Sequence, residues 1–203
     1  MTYEIPVGQY FQGNFDYLVF INDHDVADSA AESRFRNVRI YEGQITSAPM
    51  LSVTLNGTAQ SLPVTSYGGA TQDKVGTASV SGDGSELTMA GNLWKKVALP
   101  VDLSASATMT FEFFSSAQGD IHGIGFDNDL GVTGRTHFRL YGTQGWGIAD
   151  FADYGASVGT WKSYTVNVGQ FFTGDFQYLT FSADHDVASP TAESKFRNIV
   201  INE

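Results

Sequence analysis

Residues 179–203 read LTFSADHDVASPTAESKFRNIVINE, and residues 18–42 have already read LVFINDHDVADSAAESRFRNVRIYE. At a constant offset of 161, residues 3–42 and 164–203 agree at 23 of 40 positions without a gap. Each copy runs from an alternating apolar string into Asp-His-Asp, through a loop of small residues, and out along a second string that begins Phe-Arg-Asn. Period-two alternation broken by turn residues is a strand signal, so a strand, an acidic loop and a second strand are written twice.

A repeat at about 160 residues describes a tandem array. On that reading residues 1–43 are the C-terminal segment of a preceding unit and residues 44–203 are one complete module. A circularly permuted module over about 1–160 uses the same facts. The first reading is preferred, because a segment of this length cannot build its own core and would dock on the module or pair with another chain. Exchange of residues 1–43 between two chains would give a homodimer.

Alternation continues through the module in SVTLNG, ELTMAG, KKVALP, TMTFEFF, HFRLYG, SYTVNVG, YLTFSA and FRNIVI, and no segment of 11 or more residues holds a helical period. In TMTFEFF, Met109, Phe111 and Phe113 should face a core while Thr108, Thr110 and Glu112 face water. The fold class expected is all-β, an antiparallel two-sheet sandwich of jelly-roll type.

The chain has 203 residues, 42% of them hydrophobic and 16% charged, with 22 acidic against 11 basic side chains and a net charge of −11. A nucleic-acid backbone or an anionic membrane would be repelled, so neither is an expected partner. There is no cysteine, which removes disulfides and thiolate metal sites. No apolar stretch approaches the ~20 residues that span a bilayer. A secreted, extracellular location is expected, with any signal peptide outside residues 1–203.

On a chain this poor in charge, three loops hold most of the oxygen ligands. ADHDVASPTAES carries Asp184 and Asp186, followed by Glu193. GDIHGIGFDNDLGVTGR carries Asp120, His122, Asp127 and Asp129. YGTQGWGIADFADYG carries Trp146 and Tyr154. Calcium takes 6–8 oxygens, and an Asp-x-Asp pair entering a flexible turn supplies several at once. Asp184, Asp186, Asp120, Asp127, Asp129 and Glu193 are therefore candidate Ca²⁺ ligands, with Asp23 and Asp25 their counterparts in the first copy. The competing reading is that Asp and Asn simply populate turns.

His122 and His185 adjoin carboxylates. Metal ligation is the lesser reading, and a hydrogen bond that orients the loop the greater. Arg197 could pair with a loop carboxylate or bind sugar hydroxyls. Trp146 and Tyr154 are the candidate platforms for stacking on a sugar. No HExxH, nucleophile elbow or phosphate loop is present. A glycosidase would need two opposed carboxyls, and Glu112 is the one glutamate placed mid-strand on the wet face.

GNLWKKVALP (91–100), GDIHGIGFDND (119–129), YGTQGWGIADF (141–151) and DHDVASPTAESKFRNIVINE (184–203) resemble the β-sandwich carbohydrate-binding modules attached to secreted bacterial polysaccharide-degrading enzymes. A strand, an Asp-rich loop and FRN(V/I)xI also resemble the ending of the calcium-dependent xylan-binding modules of families 36 and 60. In those modules a loop-held calcium coordinates vicinal sugar hydroxyls, and the resemblance implies that role for Asp184 and Asp186. The chain departs from them in His185 and in the insertion VASPTAES. The function expected is thus non-catalytic, calcium-dependent binding of a polysaccharide, xylan or another plant or algal glycan. The alternatives are a calcium-stabilised structural repeat of a surface adhesin and, less favoured, a glycoside hydrolase or polysaccharide lyase.

Overall fold

TMTFEFF forms a strand in which Met109, Phe111 and Phe113 are buried while Thr108, Thr110, Glu112 and Phe114 are only partly so, as alternation requires. The computed structural model describes Ile5, Val7, 15–25, 30–38, Ile40 and 48–203. The chain divides into two units, Met1–Gln44 and Ile45–Glu203. The boundary expected between 43 and 44 lies outside the described residues.

The second unit is built from β1 (Met50–Leu55), β2 (Thr58–Pro63), β3 (Thr65–Ser66), β4 (Val75–Val80), β5 (Glu86–Leu103), β6 (Thr108–Phe114), β7 (Ile121–Asp127), β8 (His137–Tyr141), β9 (Lys162–Val166), β10 (Gly174–Asp184) and β11 (Ala192–Asn202). Three single 3-10 turns interrupt the loops, and no α-helix occurs among the described residues.

β11 is the centre of the first sheet. One edge pairs with β6, which pairs with β9. The other edge pairs with the start of β5, itself extended by β4, and further along with β1, which carries β2. The second sheet runs β3, the latter part of β5, β10, β7, β8. Its face packs on the first: Phe181 of β10 meets Phe196 of β11 at 5.1 Å between ring centroids, both wholly buried. Each such phenyl contributes roughly 1.5–3 kcal/mol by leaving water.

The sandwich differs from expectation in particular places. ELTMAG and KKVALP are one 18-residue strand that passes from one sheet to the other. Gly91 of β5 faces Gly76 of β4, and a Cβ on either would collide with the other's backbone. GDIHGIGFDND, taken as a loop, is mostly β7, buried along its whole length. Its alternating glycines hid it, since they lack the apolar side chains that mark a strand. Finally, β1 runs parallel to β11, whereas the other pairings between the named strands are antiparallel; the isolated bridge between Phe138 and Ile148 is also parallel.

Within the first unit, Phe20 and Phe35 form a tilted ring pair at 4.9 Å. The His24 Nδ1 accepts a hydrogen bond from the Ala30 N–H at 3.2 Å. Asn22 bridges the same loop by donating to the Ala31 carbonyl and accepting from the Ser33 hydroxyl. Asn37 adopts φ 54°, in the left-handed region that asparagine tolerates better than most residues. Residues 26–29 of the repeated acidic loop lie outside the described residues.

Candidate functional site

β10 ends at Asp184, which is in register with Ile121, the first residue of β7. Sheet pairing thus brings Asp120, just before β7, beside Asp184, and the Asp120 N–H donates to the Asp184 carbonyl at 2.7 Å. The approach needs Gly119, because a Cβ there would run into the Asp184 carbonyl and the Ala192 side chain. Past the strand end, the Asp186 N–H donates to Asp120 Oδ2 at 2.7 Å, and the Thr143 hydroxyl donates to Asp120 Oδ1 at 3.0 Å. Carboxylate oxygens of Asp120, Asp184 and Asp186 lie within 4.8 Å of one another, the one such group of three among the described residues.

Three residues from elsewhere in the chain complete the cluster. The Trp94 indole N–H of β5 donates to Asp184 Oδ1 at 2.8 Å. Asn92, two residues earlier, donates its amide N–H to Asp186 Oδ1 at 2.9 Å, and the Lys74 ammonium binds the same oxygen at 2.5 Å. Asn92 is 2% exposed, yet its Oδ1 has no hydrogen-bond partner. The Nδ2 end of that amide faces Asp186, and the Oδ1 end is a buried acceptor in want of a donor.

The charges are poorly balanced. Unit charges at this spacing repel by a few kcal/mol at an effective dielectric of about 20, less where solvent screens them. Asp184 is 4% exposed, and burial raises its carboxyl above the usual range, with Asp186 and Asp120 adding to the shift against the Trp94 bond. Asp186 is held low by Lys74 and Asn92. Lys74, an exposed side chain, is the cation that meets the cluster. The three carboxylates offer oxygen donors of the kind hard cations take.

Other expected site residues fall elsewhere. Asp127 lies at the opposite end of β7 from Asp120, about 20 Å away at ~3.3 Å per strand residue. Its Oδ1 caps the Asn128 and Asp129 N–H groups, its Oδ2 accepts from the Tyr67 hydroxyl, and Asp129 accepts from the Gly131 N–H. These are turn-forming bonds, so Asp127 and Asp129 cannot share an ion with Asp184. Glu193 is occupied with the Ser116 N–H and hydroxyl and with Lys195 at 3.2 Å. Asp23 and Asp25 are exposed, and no third ligand joins them among the described residues.

His185 closes its loop by accepting from the Thr191 N–H at 3.1 Å. His122 is buried, with Nε2 accepting from the Gly119 N–H at 2.6 Å. Its Nδ1–H donates to Ser194 Oγ at 2.8 Å, which in turn donates to the Ser182 carbonyl. Burial lowers the His122 pKa to about 4, so the ring is a neutral brace with no lone pair to spare for metal. Tyr154 is buried and its hydroxyl bonds the backbone at Ser115 and Thr160, which removes it as a stacking platform. Trp146 stays half-buried, edge-on to Trp94 at 5.3 Å and beside His137 at 5.5 Å. Arg197 pairs with Glu112 at 2.6 Å. Glu112 is thereby held below the usual carboxyl range, the opposite of what a general acid requires.

Asn92, Trp94 and Lys74 are the site residues that sequence reading missed. A polar residue at the N-terminal end of the Trp-Lys-Lys strand was the available signal, but nothing local links it to carboxylates about 90 positions on.

No family model matches the chain, and no curated protein matches it. Among solved structures, the chain is similar to a "Carbohydrate binding module family29", with TM-score 0.40 and 10% identity over 75% of this chain and 85% of that one. It is similar to SGBP-B from a complex xyloglucan utilization locus in Bacteroides uniformis, with TM-score 0.33 and 15% identity over 76% of this chain and 55% of that one. It is also similar to the glycoside hydrolase domain of Endo-D from Streptococcus pneumoniae R6, with TM-score 0.37 and 9% identity over 75% of this chain and 27% of that one. Likenesses this distant transfer no functional residue to the chain.

Proposed function

We propose that residues 45–203 form a non-catalytic, calcium-dependent polysaccharide-binding module of a secreted carbohydrate-active protein. One observation carries the reading: carboxylate oxygens of Asp120, Asp184 and Asp186, drawn from two strand ends, lie within 4.8 Å of one another. Calcium there would be held by the three carboxylates, relieving their mutual repulsion and displacing the Lys74 ammonium. Trp94 and Thr143 fix the orientation of two of the carboxylates, so part of the ordering cost is met before an ion arrives. Coordination positions left over would face solvent on the side of the exposed Asp186, where sugar hydroxyls could enter. Trp146, half-buried, packs edge-on against Trp94, whose indole N–H holds Asp184.

Isothermal titration of the chain with calcium, and then with xylan, xyloglucan and alginate in calcium or EDTA, tests the reading. Calcium binding abolished by Asp184→Ala, together with glycan binding lost in EDTA, is expected. Glycan binding indifferent to both treatments would overturn it. A calcium-induced rise in melting temperature with no glycan binding would instead favour the structural-repeat alternative.

A further inference from the structure

The two copies of the repeat agree on what faces a core and disagree on what faces two histidines. β10 and β11 are interior strands: β10 lies between β5 and β7, and β11 between the start of β5 and β6. Their inward residues Leu179, Phe181, Phe196, Ile199 and Ile201 are buried. The first copy supplies Leu18, Phe20, Phe35, Val38 and Ile40 at the same positions, each more than half exposed. Phe20 and Phe35 meet much as Phe181 and Phe196 do. The first copy thus carries the apolar face of a central strand pair, and the second copy shows which surfaces cover such a pair.

Those surfaces, as the second unit has them, do not suit the first copy. His137 lies over Gly123 and Gly125, where a Cβ would strike its ring, and it bonds the Thr180 and Ser182 hydroxyls at 3.3 and 2.9 Å. The first copy has Val19 and Ile21 at those two positions. A histidine there would be crowded by Ile21 and left buried without partners, which is costly. His122 stands opposite Ala183 in the register of β7 with β10, and it bonds the Ser194 hydroxyl. The first copy has Asn22 in place of Ala183, and the Asn22 amide oxygen accepts from Ser33, the counterpart of Ser194. A small residue facing a large one has become a larger residue that supplies its own acceptor. The position facing it must therefore shrink, and it needs no ring nitrogen.

We infer that residues 15–40 are an interaction element that completes a β-sandwich of the same type as residues 45–203, one that lacks its own last two strands and carries an apolar residue at the position of His137 and a smaller one at that of His122. The partner of the exposed face is a relative of the second unit and not a second copy of it.

Two experiments on the full chain test this. In the first, Thr180→Val, Ser182→Ile and Ala183→Asn give β10 the face of the first copy. Urea titration should show the folding equilibrium weakened about tenfold or more, and adding His137→Val with His122→Ser should restore most of that loss. The same two histidine changes alone should destabilise the chain. Unchanged stability of the triple variant, or no rescue by the histidine changes, would overturn the inference. In the second experiment, Phe181→Asp with Phe196→Asp vacates the places of β10 and β11. On the His137→Val, His122→Ser background a cooperative transition should survive, because residues 15–40 take the vacated places, and Phe20→Asp with Phe35→Asp should abolish it. A transition that is lost at once, or that ignores Phe20 and Phe35, refutes the assignment. Sedimentation of the unmodified chain should give a monomer. A dimer dispersed by Phe35→Asp would refute it too, since an unaltered second unit would then be accepting the first copy of another chain. None of these readouts involves calcium, so the outcome is separate from that of the acidic cluster.

Discussion

Two regions of this chain share most of their residues yet differ in what surrounds them. Phe20 and Phe35 meet at 4.9 Å, and Phe181 and Phe196 at 5.1 Å. His24 and His185 each accept from a backbone N–H six residues on. Asn37 and Asn198 both sit at φ 54°. Nevertheless Phe20 and Phe35 are 53% and 58% exposed, whereas Phe181 and Phe196 are fully buried. Short-range contacts are therefore written in the repeated sequence, while burial, and with it most of the stabilisation, is supplied by strands present once. The same holds for the acidic cluster: Asp23 and Asp25 repeat Asp184 and Asp186, but Asp120, Asn92, Trp94 and Lys74 belong only to the second setting.

The strongest way to break this contrast is to truncate the paired rings. Phe181→Ala should cost about 3–5 kcal/mol of unfolding free energy. Phe20→Ala should cost within about 0.5 kcal/mol. Equal losses in urea titrations would mean that the first copy has entered a core of its own.

Calcium sharpens the same contrast. At a hundredfold excess over Kd it should stabilise the chain by about 2.7 kcal/mol. Asp184→Asn should abolish that gain and raise the melting temperature in EDTA, because a buried charge is removed while the Trp94 N–H keeps an acceptor. Asp23→Asn should do neither. Lys74→Met, which withdraws the competing ammonium, should tighten calcium binding in titration calorimetry.

Acid sensitivity should also belong to the second region. His137 is buried between the Thr180 and Ser182 hydroxyls, and burial lowers its pKa to about 3. The unfolded chain then binds the extra proton, so stability from this residue is present above its unfolded pKa and falls as pH drops below it. Between pH 7 and 5 the loss is about 2 kcal/mol. His137→Gln should flatten that part of the pH profile measured by thermal melts.

The smallest effect expected is at the repeated asparagine, which sits at φ 54° in both copies. Asn198→Ala should cost roughly 1 kcal/mol, from placing alanine in the left-handed region. Asn198→Gly should restore most of it, and Asn37→Ala should leave the main unfolding transition unchanged. A comparable loss at both positions would show that the first copy also contributes a paired strand.

Alternation in TMTFEFF, YLTFSA and FRNIVI was enough to determine an all-β sandwich and the inward set Met109, Phe111, Phe113, because a strand's side-chain period is a local property. The repeated Asp-His-Asp loop likewise marked Asp184 and Asp186, since its closing bond from Thr191 to His185 spans six residues. Only the tertiary structure decided that GDIHGIGFDND is a buried strand, which separates Asp127 and Asp129 from Asp120 by its length. It also decided which residues gather on Asp184 and Asp186: the register of β5, β10 and β7 brings Trp94, Asn92 and Asp120 to one sheet end. Burial of Tyr154 arises in the same way. Register and burial depend on contacts between residues tens of positions apart, and a local pattern carries no record of them.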